Sequence, residues 1–420
     1  MLVKNSFEYD ARVRKEAETL VRDGRDVTVV AIHLPGVTAT HERLPSGVEV
    51  VRVPRLYGRL GRLTGASTVT PGAATSTTPS AQGPTSAPRR ARTLVKALLR
   101  RGLRLLGPVA RAANTVWLDR RMIAATVIRD PAVVHAHDLN TLSAGAKAAA
   151  RTGAGLVYDA HELHRHRNDM GWARQQAARL AERRRMPDVD VFITAGDAWA
   201  DYLAGLYRID RPVVVRNVPE RATPEQGWDL RAHLGISGDD RILLYQGSIQ
   251  RNRGVEEAIG ALAHLDRCVL VVAGYGAHRP ALERLAGDRG LGERVHFFGP
   301  VPNHELLHWT ASADVGLCGI RNSSLSYYWS LPNKLFEYVM AGIPVVASDF
   351  PEMGGFVRAE DVGELCDPDD PESIAAAVRR ITDDPEREAL CRRNAASAAA
   401  RHNWAIEERT LLAAYARLDR

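Results

Sequence analysis

Two doubly wound parallel α/β sheets, one in each half of the chain, are the fold that the sequence predicts. Three observations carry this. Short runs rich in Val, Ile and Leu alternate with stretches of helical periodicity, the pattern of strands covered on both faces. At 420 residues the chain is too long for one hydrophobic core. The run Ser330 to Asp349, SLPNKLFEYVMAGIPVVASD, packs a loop, a helix start, a carboxylate, a glycine stop and a buried strand into one short stretch.

In the first half a helix over Ala11 to Asp23 stops at Gly24, where a residue free to adopt positive φ ends the turn. The strands there are Val27 to Ile32, Val48 to Val53, Val133 to His137, Gly155 to Tyr158, Val191 to Thr194 and Val213 to Arg216. The second half starts near Asn217. Its strands are Ile242 to Gln246, Val269 to Ala273, Val295 to Phe298, Val315 to Leu317 and Ile343 to Ala347, each followed by a helical stretch. Ligands of such sheets bind outside the carboxyl ends of the strands, so a cleft between the halves is the expected site.

One segment breaks the alternation. Thr64 to Pro88 is almost wholly Ser, Thr, Ala, Gly and Pro, a composition that buries too little apolar surface to offset chain entropy and predicts a disordered tether. After it, Arg89 to Arg121 holds nine Arg and one Lys against Asp119, a net +9. The whole chain is +6, so the remainder, +6 less +9, is −3 and the basicity is local. Over Ala91 to Leu106 the helical wheel puts Arg92, Lys96, Arg100, Arg101 and Arg104 on one half, and Leu94, Val95, Leu98, Leu99, Leu105 and Leu106 on the other, with only Leu103 breaking the division. Such a helix lies on an anionic membrane surface or docks on the first domain with its arginines in water; both readings stand. No aromatic residues interleave with the arginines, so nucleic acid is not an expected partner.

The chemistry concentrates at Ser330 to Asp349. Pro332 fits the first turn of a helix, where its missing N–H is not needed, and the free amides around Asn333 and Lys334 then point at an anion. Lys334 adds a full positive charge there. Glu337, one turn further in, can accept two hydroxyl hydrogen bonds from a vicinal diol such as a ribose. Amides and a lysine for a diphosphate, with a glutamate for a ribose, describe a nucleotide-sugar pocket.

This stretch resembles the retaining glycosyltransferases of family 4, of the NKLFEY type, which have the GT-B fold of two Rossmann-like domains facing a central cleft. The likeness also includes DARVRKEAETL (Asp10 to Leu20), VVHAHDL (Val133 to Leu139), VYDAHEL (Val157 to Leu163), YQGSIQRNRGVEEAI (Tyr245 to Ile259), VVAGYG (Val271 to Gly276) and RVHFFGPVP (Arg294 to Pro302). It implies an acceptor-binding domain over 1–216, a nucleotide-sugar-binding domain over 217–402, and a last helix, about Trp404 to Leu418, within 403–420 that crosses back. In the family a full buried strand precedes the Asn-Ser-Phe turn, whereas only Met1 to Val3 stand before Lys4 here, so either the start is late or that strand is short.

By the same resemblance Arg253, just before Gly254, reaches the diphosphate, with Arg251 competing for the task, while Gly247 lets the backbone approach a phosphate. Gly274 and Gly276 form a G-x-G that serves either a tight turn or ligand contact. Gly299 to Val301 would set backbone groups against the base. His161 matches the family histidine beside the donor sugar's reaction centre, with Asp159 or Glu162 to orient it; His137, Asp138 and Glu162 are weaker candidates for the acceptor side. The family's E-x7-E signature needs a glutamate where Trp329 stands, so only Glu337 of that pair remains.

The implied reaction transfers a sugar from a nucleoside-diphosphate donor to an acceptor hydroxyl with retention, for a polysaccharide, a glycolipid or a natural-product glycoside. Arg253, Lys334 and a helix N-terminus would stabilise the leaving group, with no cofactor and no metal. The D-x-D at Asp188 to Asp190 runs into an ordinary strand and is not read as a metal site. Cys268, Cys318, Cys366 and Cys391 form no metal-ligand spacing and read as buried thiols in a reducing cytoplasm. No run is long and apolar enough to span a membrane, so the expected location is cytoplasmic, peripheral at the inner face if the basic helix binds lipid and the acceptor is lipid-linked. A nucleotide-sugar 2-epimerase of the same architecture and a non-catalytic binding scaffold are the alternatives.

Overall fold

The computed structural model describes residues 1–56, 112–166 and 171–419. The tether at 64–88 and the basic helix at 91–106 lie outside them. The chain forms two compact units, Met1–Ala136 with Asn140–Gly155, and His137–Leu139 with Leu156–Arg420.

The first unit holds a three-stranded sheet in the order β1-β3-β2, with β1 at Thr28–Ile32, β2 at His41–Arg43 and β3 at Glu49–Val53. β1 and β3 are parallel, and β2 runs antiparallel to β3. Periodicity missed β2, because its three residues, His-Glu-Arg, carry no apolar signal. Leu2 is wholly buried and forms isolated parallel bridges to Val30 and Ala136, the latter on β4 (Val133–His137). Helix Ala11–Arg22 starts on Asp10, whose carboxylate accepts from the Val13 N–H at 3.2 Å, and Gly24 takes φ +86° after it. Its Val13 and Ala17 pack with Val29, Ala31 and Val50 of the sheet. Arg12 and Glu16 are buried too, and form a pair at 2.9 Å.

In the second unit β5 (Gly155–Ala160), β6 (Val191–Thr194) and β7 (Val213–Val214) are parallel, with Val157 opposite Val191 and Ile193 opposite Val213. The six-stranded parallel sheet of this unit has the order β10-β9-β8-β11-β12-β13. Its strands are β8 (Arg241–Gln246), β9 (Cys268–Ala273), β10 (Val295–Gly299), β11 (Val315–Cys318), β12 (Val345–Ser348) and β13 (Gly363–Cys366). Alternate residues feed two cores: Leu243, Tyr245, Leu270 and Val272 on one face, Ile242, Leu244, Val269 and Val271 on the other. The chain winds outward from β8 through β9 to β10, then returns to β11 and winds the other way. The strand order reverses between β8 and β11, and a ligand of such a sheet belongs at the carboxyl ends of these strands.

β12 begins at Val345 rather than Ile343. The Ile343 N–H is already used to close the preceding helix on the Tyr338 carbonyl at 3.1 Å, and Pro344 has no N–H to give. β13 was not expected, because it is short and its Glu364 breaks the apolar run. The last helix is Trp404–Tyr415, three residues shorter than expected.

Candidate functional site

The turns after β8, β9 and β10 are stacked backbone on backbone. Gly247 has φ +120° and donates its N–H to Ala273 at 2.9 Å; Gly274 has φ +151° and donates to Gly299 at 2.6 Å. A Cβ on Gly274 would lie 1.9 Å from the Gly247 carbonyl oxygen, and one on Gly276 would lie 1.9 Å from that of Ile249. Both glycines of the G-x-G are thus required by close packing of turns. That packing leaves bare main chain at the switch point. Val301 turns its side chain inward, against the core that holds Phe298 and Trp309.

Lys334 reaches the turn at Gly247 from helix Asn333–Ala341. The residue is 8% exposed, with Nζ 3.5 Å from the centre of the Tyr245 ring. Its Cε and Nζ lie 3.6 Å from where a Cβ of Gly247 would stand. Burial pulls its pKa down to about 7, and the Arg253 guanidinium adds to that, while Cys318 and Glu337 act in the opposite sense. Arg253 lies over the Tyr327 ring, 4.6 Å from its centre, and its Nε is buried with no hydrogen-bond partner among the described residues. Arg251 is exposed, so of the two arginines Arg253 is the one held in place. Gly254, at φ +81°, begins the next helix within 1.9 Å, Cβ to oxygen, of the Gly319 carbonyl. That contact ties the turn after β8 to the end of β11.

Pro332 stands one position earlier than expected. It is the N-cap, with φ −77° and ψ 147°, and Asn333 is the first helical residue. Its ring offers no acceptor, so the first amides of the helix have no side-chain cap and keep their positive end for an anion. Glu337 is half-buried, and Gln246 at the end of β8 donates from Nε2 to its Oε2. Gln246 is itself fixed by the Thr310 hydroxyl, which donates to its Oε1 at 2.7 Å. Sequence reasoning missed Gln246, Thr310, Tyr245 and Tyr327. The signal for Gln246 was its place directly before Gly247 at a strand's carboxyl end.

A second cluster surrounds His161 at the end of β5. Its Nε2 lies 3.0 Å from Oδ2 of the wholly buried Asp159 and 3.1 Å from Nδ1 of His137. The backbone N–H of His161 donates to Asp138 Oδ1 at 3.2 Å, and Asp138 takes φ +63° to present that oxygen. His137 is only 2% exposed and lies against the His161 ring, and Asp138 accepts from the His161 backbone, so both hold His161 in place. Glu162 is half-buried beside them. Of the D-x-D pair, Asp190 accepts from the Leu156 N–H at 2.8 Å and Asp188 pairs with Arg185 at 3.2 Å, two separate structural tasks. Trp329, where a second glutamate was absent, packs against Tyr202 with ring centres 5.2 Å apart, and the Tyr202 hydroxyl lies 2.9 Å from His166 Nε2.

Two family profiles match the chain: "Glycosyl transferases group 1" over residues 227–398 and "Glycosyltransferase Family 4" over residues 78–218. D-inositol 3-phosphate glycosyltransferase 1 of Catenulispora acidiphila is 30% identical over 315 residues, covering 67% of this chain and 71% of that protein. Among solved structures, sucrose-phosphate synthase from Thermosynechococcus elongatus superposes with a TM-score of 0.71 at 20% identity, over 97% of this chain and 92% of the other. Anabaena HepE in complex with UDP-glucose does so at 0.70 and 15%, over 99% and 98%. At those identities the two structures bear on the fold alone. The sequence matches and the two-domain α/β architecture agree: the chain belongs to glycosyltransferase family 4 and is a glycosyltransferase of the GT-B fold.

Proposed function

We propose that the chain transfers a sugar from a nucleoside-diphosphate donor to an acceptor hydroxyl, with retention and without a metal. The observation that carries this is the meeting of Lys334 and Arg253 with the bare turn at Gly247 and the uncapped start of helix Asn333–Ala341. Two cations seated on aromatic rings, not on carboxylates, are available for the charge that grows on a departing diphosphate. Glu337, held by Gln246, takes the ribose hydroxyls. His161, braced by Asp159, stands at the donor sugar. Among the described residues we assign no carboxylate as a covalent nucleophile, so front-face substitution is favoured, the leaving phosphate helping to take the acceptor proton.

In this reading 217–402 binds the donor and 1–216 the acceptor, and domain closure excludes water. The relative reported above at 30% identity is named a glycosyltransferase, which favours transfer over epimerisation. Among the described residues no helix is long and apolar enough to cross a membrane; a peripheral place at the inner membrane face, with a lipid-linked acceptor, is part of the proposal. The test is transfer from UDP-, GDP- and dTDP-sugars in excess EDTA, with inositol phosphate among the acceptors offered. The product's anomeric configuration is read by proton NMR. Transfer that requires added divalent cation, or an inverted product, overturns the mechanism; turnover of UDP-GlcNAc without acceptor to another sugar nucleotide overturns the transferase reading.

A further inference from the structure

Helix Trp172–Arg183 is inside out. At about 100° per residue its exposed positions Trp172, Leu180, Ala173, Ala177 and Ala181 fall on one half of the wheel, Trp172 being 75% exposed and Leu180 48%. Near the centre of the opposite, inward half is Glu182, 4% exposed. The orientation is pinned: the Tyr158 hydroxyl donates to Glu182 Oε1 at 2.6 Å, and the Tyr207 hydroxyl to Oε2 at 2.5 Å. The helix cannot roll its apolar side inward without carrying that carboxylate away from the buried Tyr158 hydroxyl and leaving the hydroxyl unpaired.

Arginines border the outward strip. Arg183 lies beside Trp172 on the wheel, Arg174 beyond Ala181 at the far edge, and Arg184 follows the helix end; all three are exposed, and the helix's acidic residue is turned inward. The strip between them holds Gln176, Leu180 and three alanines, so it is shallow. A flat apolar surface with a tryptophan at its rim and cations on both edges suits the boundary between acyl chains and phosphates.

We propose that the outward face of helix Trp172–Arg183 docks on an anionic lipid surface. This site lies on a described helix and is separate in sequence from the basic segment at 91–106. It does not rest on the donor chemistry, because the test contains neither donor nor acceptor.

The experiment is flotation of the full chain with phosphatidylcholine vesicles, with and without phosphatidylglycerol. It is run in an Arg100→Glu, Arg101→Glu, Arg104→Glu background, so that the segment at 91–106 contributes nothing. That protein is expected to float with the anionic vesicles only, and less as salt rises. Adding Trp172→Gln and Leu180→Gln lowers recovery at least tenfold at unchanged circular dichroism and melting temperature. Arg174→Glu, Arg183→Glu and Arg184→Glu together do the same. The proposal is overturned if the background protein fails to float, if neutral vesicles recover it equally, or if the glutamine variant binds as before. It is also overturned if light scattering shows a dimer that the glutamine variant dissolves, since a second copy would then be the occupant.

Discussion

The ammonium of Lys334 sits 3.5 Å from the centre of the Tyr245 ring, buried and turned toward a π face in place of a counter-ion. Its neighbours from the packed elements are Tyr245 on β8, Arg253 after it, Cys318 on β11 and Glu337 on its own helix. A pKa of about 7 leaves this lysine poised to gain a proton when a diphosphate arrives. Donor binding should therefore take up a proton above pH 7, and affinity for a nucleotide sugar should fall as pH rises from there, by up to about tenfold per unit. Titration calorimetry in buffers of different ionisation enthalpy measures the uptake. The sign for stability of the unliganded protein is opposite: between about 7 and the ordinary lysine value the unfolded chain holds more protons, so stability rises with pH across that window. Lys334→Gln should flatten both profiles; a pH-independent affinity in the unaltered protein would show the ammonium is not at the diphosphate.

Glu337 carries a different test. Glu337→Ala should weaken nucleotide binding by about 1.5–3 kcal/mol, the range for hydrogen bonds to a charged partner. Gln246→Leu should do so by less, since it removes the donor that fixes the carboxylate but leaves the carboxylate itself. Calorimetry on folded variants decides; unchanged affinity on losing Glu337 would mean that the ribose lies elsewhere.

Much of this site was legible because the elements that make it are local. A glycine before a helix, a lysine one residue into another helix and a histidine at a strand's end each announce themselves within a few residues. What was not legible depends on long-range contact. Nothing near His137 says that its ring will be buried against His161, 24 residues on. Nothing near Gln246 says that its amide will hold Glu337, 91 residues away. The inward turn of Glu182 was hidden for the same reason, its two tyrosine partners lying 24 and 25 residues off on separate elements.

His161 should separate from the two cations in kinetics. Arg253→Ala and Lys334→Ala should each lower turnover more than tenfold through lost stabilisation of the leaving diphosphate. His161→Ala should lower turnover while leaving affinity for the free nucleotide nearly intact. Asp159→Asn should follow His161→Ala in turnover, because its contact is with the ring's Nε2 at 3.0 Å. A loss of nucleotide affinity in the histidine variant would place it at the diphosphate.

The stacked turns make the last prediction, which compares two glycines of one domain. Gly274 has φ +151°, and a methyl group there would come within 1.9 Å of the Gly247 carbonyl oxygen, which is main chain and cannot swing aside. Gly274→Ala must therefore displace the turn that carries Gly247, beside which Lys334 stands at 3.6 Å. Strain of this kind costs about 1–3 kcal/mol, and the displaced turn should lower nucleotide affinity more than tenfold in the fraction that remains folded. Gly287 is the control. It lies in helix Arg279–Asp288 with nothing within 4 Å of its added Cβ, so Gly287→Ala should raise stability by about 0.5–1 kcal/mol through the reduced entropy of the unfolded chain and leave affinity unchanged. Urea unfolding and calorimetry on the two variants make the comparison. Full nucleotide affinity in a folded Gly274→Ala protein would show that the turn after β8 is not part of the donor site.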